Sequence, residues 1–185
     1  MDSYISLIGS IVIGGLFLLG LLFFQSDLKE HSFHRTNDQI VQEHALAIID
    51  LLEWDFRKIG FNYPLDALAI KDTNSISYYV DLGNDGIIDT VHYTISDTGA
   101  ASATPNPNDK ILYRWSNGGP QVGVALGVTD FRLKYFDEAG NETSNVKQIK
   151  TIEITLELES TIPYNGQSSH FFWREKITPL NLQPL

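Results

Sequence analysis

Residues 4–24 read YISLIGSIVIGGLFLLGLLFF, 21 consecutive residues with no charge and no proline. A bilayer core takes about 20 such residues in a helix. A core helix of a globular domain fits this run poorly, because it would keep a polar face over such a length. A cleaved secretory signal starts basic, has a shorter apolar core and ends at a small-x-small site. Here Met1-Asp2-Ser3 holds no Lys or Arg, and the run ends in Phe23-Phe24-Gln25. Residues 1–25 are therefore expected to form an uncleaved transmembrane helix.

Working outward, the chain from Ser26 to Ile59 contains neither proline nor glycine. Apolar residues recur at Val41, Ala45, Ile48, Leu52, Phe56 and Ile59, in steps of three and four that trace one helical face. Asp38, Gln42, Glu43, Asp50, Glu53 and Arg57 fall mainly elsewhere. Residues 26–61 are thus expected to continue the first helix as an amphipathic one, with Ser26 to Thr36 as the segment that frays or bends. Gly60 is a natural stop, and Pro64 follows it.

Beyond Tyr63 the pattern has the period of strands. Ser75 to Val80 and Ile87 to Ile95 are rich in β-branched and aromatic residues and flank Gly83-Asn84-Asp85-Gly86, a hairpin-like turn signal. Gly99 to Asp109 holds two prolines and small residues and reads as a loop. Further strands are expected at Lys110–Trp115, Asp130–Tyr135, Thr151–Leu158 and His170–Ile177. Ile152, Ile154, Leu156 and Leu158 share one face. A sheet apolar on one face needs an apolar cover, and the amphipathic helix supplies one. The expected fold is α+β: a long N-terminal helix on an antiparallel sheet formed by residues 62–185.

Composition narrows the function. With 13 basic and 23 acidic residues the net charge is −10, which argues against phosphate-backbone binding, and no nucleic-acid partner is expected. There is no cysteine, so disulfides, thiol catalysis and Cys-ligated metals are excluded.

A helix apolar all round at its start and laid on an antiparallel sheet at its end is the plan of type IV pilins and pseudopilins. Ile13-Gly14-Gly15-Leu16 resembles the membrane half of their helix. Leu51-Leu52-Glu53-Trp54-Asp55-Phe56-Arg57-Lys58-Ile59-Gly60-Phe61 resembles the helix end, D-x-R-x-x-G-aromatic, of PilW-type minor pilins and secretion-system J pseudopilins. Asp81 to Asp89, Leu112-Tyr113-Arg114-Trp115, Val124 to Tyr135 and Ile152 to Leu156 continue the likeness along nearly the whole chain. The family begins with a basic leader, a glycine at the cleavage point and a glutamate five residues into the mature chain. Aligned on Ile13-Gly14, Met1 falls near that glycine and Ser6 near the glutamate. Neither leader nor glutamate is found, which argues against peptidase processing, against N-methylation and against the family's register-setting charge pair. Asp2, the one acid nearby, reads as a polar residue at the membrane edge rather than a replacement.

Three sets of residues are candidate sites. Ser6, Ser10 and Gly14 form a small-xxx-small row through which helices approach closely in lipid. Asp81, Asp85 and Asp89, with Gly86, have part of the spacing of a calcium loop, but Gly83 and His92 stand where it has further oxygen ligands. A plain Asn/Asp/Gly turn explains the same residues. His31 and His34 are three apart on a helix without completing a metal pattern. Trp54, Trp115 and Trp173 read as core or interface residues. No nucleophile–base–acid order and no phosphate loop is found, so no enzyme is expected.

The resemblance implies a non-enzymatic, membrane-anchored pilin-like subunit of a type IV filament, a minor-pilin tip or a secretion pseudopilus. Its partners would be other pilin-like or membrane-complex subunits, met through the N-terminal helix, and the lipid bilayer. The resemblance also implies a bacterial inner-membrane, single-pass protein with its β domain periplasmic or extracellular. Lys29 and Arg35 alone favour the opposite orientation, and the expectation follows the resemblance. The alternatives are an accessory single-pass subunit of a large membrane complex, or an anchored calcium- or ligand-binding module.

Overall fold

The computed structural model describes residues 2–63, 65–163 and 166–182, apart from the side chains of Asp2, Ile70 and Lys71. Pro64 and the side chain of Asp2 therefore lie outside the described residues. One helix, α1 (Asp2–Arg57), contains 56 residues and passes without interruption through the segment expected to bend. By its contacts the chain divides into two compact units, Met1–Gln39 and Ile40–Leu185. The division falls inside α1, whereas the changes of sequence character fall at residues 25 and 61.

In the first unit, every large apolar side chain from Tyr4 to Phe24 is exposed. In the second, the remainder of α1 lies against a seven-stranded antiparallel meander in the order β1 to β7. The strands are β1 (Leu68–Lys71), β2 (Ser75–Val80), β3 (Asp89–Ile95), β4 (Lys110–Ser116), β5 (Val122–Phe136), β6 (Thr151–Glu159) and β7 (His170–Ile177). All six residues of the expected helical face, Val41, Ala45, Ile48, Leu52, Phe56 and Ile59, are buried. Ile152, Ile154, Leu156 and Leu158 are buried opposite them as one face of β6. The Phe56 ring centre stands 6.1 Å from that of Tyr78 and 5.8 Å from that of Tyr93, so the helix meets the sheet through aromatic contacts.

α1 ends at Arg57, four residues short of the expected boundary at 61. Lys58 and Ile59 close a tighter turn by donating to the Asp55 and Phe56 carbonyls. Gly60 then takes φ +76°, and its N–H donates to the Tyr79 carbonyl at 3.0 Å. This left-handed residue turns the chain from the helix directly onto β2.

The sheet curls because β5 changes partner along its length. Val122–Val128 pairs with β4, and Val128–Phe136 pairs with β6. A register shift at Val128/Asp130, beside Gly127 at φ +82°, marks the bend. The β1–β2 turn then reaches β5, since the Leu133 N–H donates to the Thr73 carbonyl and the Tyr135 hydroxyl to the Asp72 carbonyl at 3.0 Å.

Three expectations about strands change. β1 lies in a stretch where none was expected. β5 begins at Val122 rather than Asp130, because its first half is paired across the bend. β3 begins at Asp89 rather than Ile87; Ile87 is 66% exposed and belongs to the turn.

Candidate functional site

The N-terminal stretch of α1 carries the longest run of exposed large apolar side chains among the described residues. It is the one helix among the described residues long and apolar enough to cross a membrane, and none of its most apolar window is buried. Ser6, Ser10 and Gly14 are exposed on it. The Ser6 hydroxyl donates to the Ser3 carbonyl at 3.0 Å and the Ser10 hydroxyl to the Ser6 carbonyl at 2.8 Å. Both hydroxyls are thereby satisfied within the helix, as an apolar surrounding requires. A Cβ at Gly14 would meet nothing within 4 Å. The row is thus a smooth, shallow stripe to which another helix could come close.

A second polar constellation fixes the other end of α1. Asp55 is fully buried on the apolar face, one helical turn beyond Leu52. Arg114 on β4 donates through Nε to Asp55 Oδ2 at 2.6 Å and through Nη2 to Oδ1 at 3.4 Å. The Tyr93 hydroxyl of β3 donates to Oδ2 at 2.5 Å. Burial and then the Asp55 charge push the Tyr93 phenol far above its usual pKa, so it remains a donor. Burial opposes the Arg114 charge, but the bond to Asp55 and its charge prevail and hold the guanidinium protonated. The Tyr78 hydroxyl is buried in the same region, its pKa raised by burial and then by the Asp55 charge. The set ties helix to sheet.

The acids of the expected calcium turn are engaged with donors. Asp81 is buried and accepts from the N–H groups of Asp85 at 3.1 Å and Gly86 at 3.0 Å, and from Asn62 Nδ2 at 3.0 Å. The Asn62 amide, helped by the Gly86, Asp85 and Asn84 N–H groups, holds its carboxyl below the usual range against the effect of burial. Asp89 accepts from the Leu82 N–H and from Asn117 Nδ2, and Asp85 from the Ile87 N–H. Among the described residues no group of three or more His, Cys, Asp or Glu is gathered as for a metal. The three aspartates act here as acceptors that shape the turn.

The tryptophans are only partly covered. Trp54 is half exposed with Lys58 Nζ 3.8 Å from its ring centre, and Trp115 stacks on His92 at 4.8 Å. Sequence reasoning singled out neither the Asp55–Arg114 pairing nor the burial of Asp109 just before β4. The first left a signal: Asp55 follows Leu52 by three on the apolar stripe, and Arg114 follows Leu112 by two on the core face of a strand. The second left none, because Asp109 closes a loop. No family model, no curated protein and no solved structure matches this chain.

Proposed function

We propose that this chain is a membrane-anchored, pilin-like assembly subunit that works by helix-to-helix contact and not by chemistry. The observation that carries the reading is the single helix α1. Its apolar stretch Tyr4–Phe24 is exposed on every side, while its last turns, Val41 to Phe56, are built into the core of a β domain. Exposed apolar surface of this extent marks contact with lipid or with other proteins. The smooth Ser6–Ser10–Gly14 stripe suits close packing against like helices. The order of elements, helix then antiparallel meander, agrees with the pilin resemblance, and that resemblance implies a place in a bacterial inner membrane with the β domain outside.

The test is cross-linking of the full chain in native membranes, with mass analysis of its N-terminus. The expected result is an intact N-terminus, retention in membranes through alkaline washing, and cross-links between α1 of neighbouring subunits. A mature chain beginning after residue 25 would make the segment a cleaved signal and overturn the proposal. Co-purification in one fixed complex, without cross-links between like helices, would favour the accessory-subunit alternative.

A further inference from the structure

We propose that the outer edge of β7 takes up an extended segment of a partner protein as an added strand, one with acidic residues on its solvent face and apolar residues on its core face. The meander ends in two unlike edges. β1 is four residues long, and its pairing with β2 is broken by a register shift between Leu68 and Ile70. β7 is eight residues long, contains no proline or glycine, and pairs with β6 in unbroken register from His170 to Ile177. Among the described residues no strand lies on its other side. Alternate backbone N–H and C=O groups of a strand point to each side, so this edge is a regular row of donors and acceptors. What such an edge takes is extended backbone, not a helix or a small rounded molecule.

Side chains narrow the chemistry of the added strand. On the core face Phe171 and Trp173 pack against the core without being fully buried, so an apolar residue beside each would complete their cover. On the opposite face stand His170, Phe172, Arg174 and Lys176. Basic residues on an edge usually discourage pairing. Here two of them lean back toward β6 and leave the backbone edge open. His170 Nε2 lies 3.8 Å from Glu157 Oε2, and Lys176 Nζ lies 4.0 Å from Glu153 Oε2 and 3.7 Å from the Phe136 ring centre. Arg174 Nε donates to the Thr155 hydroxyl at 3.3 Å, and its charge has no carboxylate partner among the described residues. A carboxylate on the added strand would supply one. β6 already has the pattern that β7 accepts, with Glu153 and Glu157 on one face and Leu156 and Leu158 opposite Trp173 and Phe171 on the other. A second copy of β7 lacks that pattern. Antiparallel self-pairing centred on Phe172, Trp173 or Arg174 sets His170 against Arg174, His170 against Lys176, or Arg174 against itself.

The experiment uses the full chain in detergent and a fluorescein-labelled synthetic peptide, TIEITLELE, which has the required alternation. β7 lies in the second unit, so the outcome does not depend on the role of the apolar stretch of α1. Fluorescence anisotropy should show saturable binding of one peptide per chain. The peptide TIKITLKLK, and TIEITLELE methylated on every backbone nitrogen, should each bind at least about tenfold more weakly, the first for want of carboxylates and the second for want of backbone donors. Arg174→Glu should reverse the preference between the acidic and basic peptides, a reversal that also shows the variant to be folded. Absence of binding, equal binding of the methylated peptide, or a preference unchanged by Arg174→Glu would each overturn the proposal. The chain has no cysteine, so Phe172→Cys places a single thiol on this edge. Disulfide-linked dimers of Phe172→Cys, formed in preference to a disulfide with a cysteine-tagged TIEITLELE, would also overturn it and make the occupant a second copy.

Discussion

At the scale of the residue, Asp55 and Arg114 show how a charge enters an apolar core. Asp55 is 0% exposed, whereas the Arg114 side chain is 23% exposed. The two halves of the pair therefore differ in what their loss leaves behind. Arg114→Met strands a fully buried carboxylate and should cost about 3–5 kcal/mol. Asp55→Asn keeps an acceptor for Tyr93 and leaves a guanidinium able to turn to water, so about 1–3 kcal/mol is expected. The double change Asp55→Leu with Arg114→Met should recover most of the loss, since an apolar pair of similar volume often replaces a buried ion pair without penalty. Urea titration of the four proteins checks the order. If Asp55→Asn proves the costlier single change, the carboxylate is not the stranded partner. Asp81 adds a pH dependence. Its folded pKa is lowered, so its contribution is present above the unfolded value of about 3.9 and is lost as pH falls through the folded value. The Asp85 and Gly86 amide resonances should move only in that acid window, and Asp81→Asn should remove the step.

At the scale of the element, the helical face and its stop are testable apart. Leu52 is fully buried, so Leu52→Ala should cost about 2–5 kcal/mol. Glu53, one residue on, is partly exposed and pairs with Arg57 at 3.0 Å across one turn. Glu53→Ala should stay within about 0.5 kcal/mol. Equal effects in a denaturant titration would mean that the face is misassigned. Gly60→Ala tests the stop. Its φ of +76° is unfavourable for any residue with a Cβ, and that Cβ would lie 3.0 Å from the Asn181 carbonyl oxygen and 3.1 Å from Ala67 Cβ. A loss of at least about 1–2 kcal/mol is expected, with the span Tyr4–Phe24 unaffected. The periodicity of Val41 to Ile59 made this helix legible, and alternation made β6 legible. β1 and the first half of β5 were not: the former is four residues long, and the latter, with glycines at 123 and 127, takes its strand form from pairing with β4.

At the scale of the whole molecule, the buried core begins at Val41 and lies wholly in the second unit. Removing residues 1–25 should therefore yield a soluble protein with the melting temperature of the full chain within a few degrees. Persistent sedimentation with membranes would place the attachment elsewhere. Gly14→Leu makes the opposite change, adding bulk to the stripe while keeping the span apolar. Insertion should survive, because Leu is favourable at the bilayer centre. Cross-linked assemblies should decrease, with the β domain's stability unchanged. Unaltered assembly would move the contact to another face of α1, such as Gly9 and Gly20, or to the β domain.

The sequence by itself determined the long helix, its change from an all-round apolar surface to a single apolar stripe, and five of the seven strands with the second half of β5. These features are local: they follow from the spacing of apolar residues along a backbone with only two regular periods. It also determined the small-residue row, whose geometry needs only a helix. Tertiary structure alone decided where the charges went. Asp55 meets Arg114 across 59 residues, and Asn106 ties its loop to Glu159 across 53. The apolar faces mark Asp55 and Arg114 as inward-facing, but which distant group each meets depends on where the curl of the sheet, set by the change of partner in β5, brings the strands. The same physics separates two acids that read alike in the sequence. Asp81 folds into a turn whose N–H groups surround it and lower its pKa, while burial at the end of a loop raises that of Asp109.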